Sequence, residues 1–122
     1  MVRICVAMAG LFALAAPAAA QSYEAEIDCG GVFQPGQSVP FAVRLEEQAH
    51  QQHVIDMVVT LTGPGINKTI INKTFTLNSN QDMKINKVVN LKANAPAGSY
   101  DMRVETDDGS LFVSDTCSFD VN

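Results

Sequence analysis

Apolar and polar side chains alternate with a period of two along almost the whole chain beyond residue 21. This spacing constrains the fold strongly. Successive strand residues point to opposite faces of a sheet, whereas helical positions repeat about every 3.6 residues. Tyr23, Ala25, Ile27 and Cys29 share one face, against Ser22, Glu24, Glu26 and Asp28 on the other. Further inward sets are Val39, Phe41, Val43 and Leu45, then Ile55, Met57, Val59 and Leu61, then Ile71, Phe75 and Leu77. Met83, Ile85, Val89 and Leu91 follow, then Tyr100, Met102 and Val104, and finally Leu111, Val113, Cys117, Phe119 and Val121. Turn-forming residues separate these runs, among them Gly30-Gly31, Pro35-Gly36, Gly63-Pro64-Gly65 and Asp107-Asp108-Gly109. About seven short strands at regular spacing predict an all-β fold, an immunoglobulin-like Greek-key β-sandwich. The only helical candidate is residues 46–53, which read as a helical turn or a polar loop.

Residues 1–20 have the form of a secretory signal peptide. Arg3 supplies the positive start, residues 4–15 the apolar middle, and Ala18, Ala19 and Ala20 the small residues of a cleavage site. Cleavage after Ala20 leaves residues 21–122 as one domain, secreted or periplasmic, with no segment long enough to span a membrane. The retained cysteines are Cys29 and Cys117, both at inward positions. In an oxidising compartment they are expected to form a disulfide that ties the first strand to the last.

The exported chain carries seven basic and thirteen acidic side chains, a net charge of −6. Nucleic acid is therefore not an expected partner. The charge is uneven: residues 57–100 hold five lysines and a single acid, Asp82. Lys84 and Lys92 fall outward on the fifth strand, with Lys68 and Lys73 close by in sequence. Such a basic sheet face suits an acidic protein partner or a second copy of the chain.

Two segments resemble known domains. Val32-Phe33-Gln34-Pro35-Gly36-Gln37-Ser38-Val39-Pro40-Phe41 is similar to the opening of macroglobulin-type sandwich domains. Ala95-Pro96-Ala97-Gly98-Ser99-Tyr100-Asp101-Met102-Arg103-Val104 resembles the entry to the sixth strand of bacterial immunoglobulin-like domains. There, a tyrosine at the strand start reaches back to the backbone of the preceding turn. The resemblance implies a sandwich and, as one alternative, protease inhibition. The Cys-Gly-Glu-Gln run of thioester macroglobulins is absent, so covalent trapping is not implied.

Other candidate sites are few. His50 and His53 follow Glu46 and Glu47, and imidazole with carboxylate suits Zn²⁺ or Cu²⁺, giving periplasmic metal binding as a second alternative. Met57, Met83 and Met102 sit among core positions and read as packing. Ile66-Asn67-Lys68-Thr69 and Ile71-Asn72-Lys73-Thr74 are near-identical units five residues apart. An odd shift exchanges faces in a regular strand, so a bulge is predicted near Ile70. No nucleophile elbow, zinc-protease pattern or phosphate loop occurs. The reading is therefore a non-enzymatic binding or structural module without a cofactor.

Overall fold

The computed structural model describes residues 22–122; the leader read over residues 1–20 lies outside them. The eight strands are β1 (Tyr23–Asp28), β2 (Val32–Phe33), β3 (Ser38–Glu47), β4 (His53–Gly63), β5 (Ile66–Leu77), β6 (Asp82–Asn90), β7 (Gly98–Asp107) and β8 (Phe112–Val121). They form two sheets, one ordered β1-β3-β6 and the other β2-β8-β7-β4-β5. The result is the immunoglobulin-like sandwich that the alternation predicts. The inward sets meet between the sheets in a core of buried side chains that includes Tyr23, Val43, Leu45, Ile55, Met57 and Met102. Burying each such side chain contributes about 1.5–3 kcal/mol.

The strand count exceeds the expected seven because Val32–Phe33, just beyond the Gly30-Gly31 break, forms a short strand of its own. Gly30 and Gly31 follow β1, and Gly31 takes a φ of 103°, open to glycine at little cost. The kink lets the chain leave the β1-β3-β6 sheet and join the other as β2, paired parallel with β8 through Val32↔Asp120 and Phe33↔Val121. Along its whole length this segment runs beside residues 111–121 at a constant offset of 88. The Tyr23 hydroxyl donates to the Leu111 carbonyl at 3.1 Å. Ile27 N–H donates to Asp115 Oδ2 at 2.9 Å. Cys29 and Cys117 form the disulfide, with Cα atoms 5.7 Å apart. One side of the sandwich is thus cross-linked from sheet to sheet.

The opposite side is formed by β5 and β6, edge strands of different sheets. The bulge predicted near Ile70 is present: Ile71 pairs with Val59 and Thr69 with Thr60, leaving Ile70 as the extra residue. At the entry to β7, the Tyr100 hydroxyl donates to the Pro96 carbonyl at 2.6 Å, as the immunoglobulin-like resemblance implies. The Tyr100 ring stacks on Phe119 with centroids 5.4 Å apart. It also covers Gly63, where an added Cβ would collide with the Tyr100 ring.

Candidate functional site

The lysines converge on the open side, in an arrangement that parity alone does not reveal. On β5, Lys73 is registered against Met57 and Lys68 against Leu61, and both partners are buried core residues. Both lysines therefore occupy inner-face positions. The bulge at Ile70 is the cause, since it cancels the odd five-residue shift between the two repeated units. On β6, Lys87 is registered against buried Phe41 and is also an inner-face residue. Such positions tolerate charge only because the strands are edges, where an aliphatic stem lies on the core while the ammonium reaches water.

Two adjoining hollows of about 560 and 410 Å³ run along this side and share Lys68, Val89 and Asn90. Lys68, Lys73 and Lys87 line the first, over a floor that includes Phe41, Met57 and Ile85. Lys68 and Lys92 line the second. Among the described residues, no aspartate or glutamate lines either hollow. Among the described residues, the carboxylates within ion-pair distance of a basic side chain face Arg44, Arg103 or His53, and none faces a lysine.

The expected single basic sheet face is corrected accordingly. Lys84 lies on the outer face of β6, beside Arg44, while Lys68 and Lys73 belong to the other sheet and Lys92 follows β6. Sequence reasoning missed the membership of Lys87, whose inner-face parity could have been read from its place between Ile85 and Val89.

The proposed metal ligands are separated. Residues 46–53 form no helical turn: Glu46 and Glu47 end β3, His53 opens β4, and the two strands lie in different sheets. His50 is exposed on the connecting loop with φ 57°. Glu46 lies 3.9 Å from Arg44. Only Glu47 and His53 meet, with Nε2 3.2 Å from Oε2, and the Nδ1 of His53 is 3.0 Å from Asp108 Oδ2. All three side chains are buried. Among the described residues, no group of three or more histidines, cysteines or acids is arranged to hold a metal ion.

This cluster instead joins three chain segments. Burial pushes the Glu47 carboxyl up, but N–H donation from Asn80 and Ala49, together with His53, outweighs it and holds the group at about 2. Burial likewise opposes ionisation of Asp108. The N–H groups of Ser110 and Leu111 and the His53 ring still hold its carboxyl below the usual range. Each ring nitrogen of His53 thus faces a carboxylate oxygen. Asp108 thus closes the β7–β8 turn, where Gly109 has a φ of 96°. Asp108 is 55 residues from His53, and no local pattern pairs them.

No protein-family model and no curated protein matches the chain. Solved structures do resemble it. A CARDB domain from Pyrococcus furiosus, in complex with di-metal ions, has a TM-score of 0.67 at 14% identity, over 82% of this chain and 87% of that one. A family 123 glycoside hydrolase from Clostridium perfringens has a TM-score of 0.66 at 11% identity, and the match spans 27% of that chain. The alkylpurine DNA glycosylase AlkC from Pseudomonas fluorescens has a TM-score of 0.65 at 13% identity, over 30% of its length. At these identities the likeness is one of fold, and the same sandwich accompanies quite different proteins.

Proposed function

We propose that this chain is an exported, non-catalytic binding module that holds an acidic protein partner along the open side between β5 and β6. The observation that carries the reading is the alignment of Lys68, Lys73, Lys87 and Lys92 along one cleft that, among the described residues, no carboxylate lines. Unpaired cations on a domain with an acidic balance attract anionic partners selectively and repel a second copy of the same edge. Export is supported by the leader pattern of residues 1–20 and by the disulfide. A non-catalytic role is supported by His53, whose ring nitrogens are both committed to buried carboxylates.

Fluorescently labelled poly-L-glutamate is a suitable probe. Anisotropy should report binding at low salt that weakens in 0.5 M NaCl (roughly a 4 Å screening length). Three exposed ion pairs at about 0.2–1 kcal/mol each correspond to roughly a tenfold effect. A Lys68→Glu/Lys73→Glu/Lys87→Glu variant should therefore bind about tenfold more weakly. Equal binding by the variant and the parent protein would refute the reading.

A further inference from the structure

Among the described residues no strand pairs with β6 on the side away from β3, and this edge determines how such a partner would sit. Glu47 N–H donates to the Gln81 carbonyl, and Leu91 N–H donates to the Gln37 carbonyl. In an antiparallel ladder the direction of backbone groups alternates, so these two bonds set the parity between β3 and β6. The odd-numbered residues Met83, Ile85, Lys87 and Val89 turn their backbone groups toward β3. Those of Lys84, Asn86, Val88 and Asn90 face away from it, toward the open side. The β3–β6 register runs unbroken from Ser38↔Asn90 to Glu46↔Asp82, with no bulge to spoil the edge.

The other accessible edges differ. β2 is only two residues long. On β1, the Ile27 amide is already bonded to the Asp115 carboxylate, and β5 carries its bulge at Ile70. The side chains flanking β6 differ between its two faces. On the inner face are Lys87 and, across the cleft, Lys68 and Lys73. On the outer face Val88 is 58% exposed.

We infer that the acidic partner is an extended segment that adds as a strand to the free edge of β6, its carboxylates on the cleft side and its apolar residues beside Val88. This rests on the acidic-partner reading above and adds the mode of capture. Main-chain hydrogen bonds to an edge provide the attachment, and alternate side chains provide the selectivity. Inner-face lysines suit this arrangement because they oppose pairing between identical edges and favour an acidic strand.

The probe is an end-blocked eight-residue peptide alternating glutamate and valine, with a lysine–valine peptide as control. At saturation, amide hydrogen exchange at Lys84, Asn86, Val88 and Asn90 should slow at least tenfold, with little change at the odd-numbered amides already bonded to β3. Val88→Pro removes one outward-facing N–H without touching the β3 ladder, and should weaken the glutamate–valine peptide at least tenfold while leaving every lysine in place. Exchange measured on the parent protein keeps the test decisive even if Val88→Pro perturbs folding. Peptide binding with unchanged exchange at the four even-numbered amides overturns strand addition and leaves the acidic-partner reading intact. Equal binding of the lysine–valine peptide, or no effect of the triple lysine reversal, overturns both.

Discussion

Removing the Cys29–Cys117 bridge should cost this domain a large part of its stability, and the size follows from the position of the bridge. The bond closes a loop of 88 residues, nearly the whole sandwich. Cross-linking a chain over that span lowers the entropy of the denatured state by about 15 cal/mol/K, or about 4.5 kcal/mol at 25 °C. Unfolding entropy for roughly 100 residues is about 0.2 kcal/mol/K near the midpoint, so Tm should fall by about 20 °C. The assay compares oxidised protein, reduced protein and a Cys29→Ala/Cys117→Ala variant by thermal and urea melts. Reduction leaves both side chains in place, so the difference between the last two samples isolates lost packing. The Tyr23–Leu111 and Ile27–Asp115 bonds keep β1 beside β8 without the bridge. Folded reduced protein should therefore retain its native amide spectrum. A loss below about 1 kcal/mol, or a reduced protein in which β1 has detached, would refute the reasoning.

Three further outcomes are expected. Glu47 is held at about 2 in the folded protein against an ordinary value of 4.5. Its contribution is complete above pH 4.5 and is lost as pH falls toward 2, with Asp108 adding in the same direction; urea midpoints measured across that range should fall steadily. His53→Ala leaves two buried carboxylates without the ring that bridges them. Losing a hydrogen bond to a charged group costs about 1.5–3 kcal/mol, and the low end is expected here because backbone N–H groups still bond both acids; a urea melt reads the shift. Tyr100→Phe keeps the stack on Phe119 but loses the bond to Pro96, a loss of about 1 kcal/mol, visible as a lowered Tm.

Alternation made the sandwich legible because every central strand has one buried and one wet face. The bulge was legible for a related reason: two copies of Ile-Asn-Lys-Thr cannot present the same face five residues apart unless a residue is inserted between them. What parity did not reveal was which strands would be edges. Lys68, Lys73 and Lys87 stand at inner positions, and Asp115 stands inward on β8 between Val113 and Cys117. A charge at such a position looks like an error in the pattern until the topology places it where water reaches. The link between His53 and Asp108 was hidden for a different reason. It depends on two loops being brought to the same end of the sandwich, which no spacing along the chain encodes.

The unequal sides of the sandwich also have a dynamic consequence. Along β1 and β8 the sheets are held by a covalent bond and two hydrogen bonds, all at one constant offset. Along β5 and β6, away from the 78–81 loop that joins these two strands, they meet through partly buried side chains such as Ile71 and Ile85 around the hollow. The domain is thus bound like a book, with a spine on one side and a fore-edge on the other. Its lowest-energy breathing motion should be a hinged parting at the fore-edge, with the spine as the axis. Opening of this kind would widen the lysine-lined cleft without breaking either sheet, so the site can admit a partner while the fold stays closed.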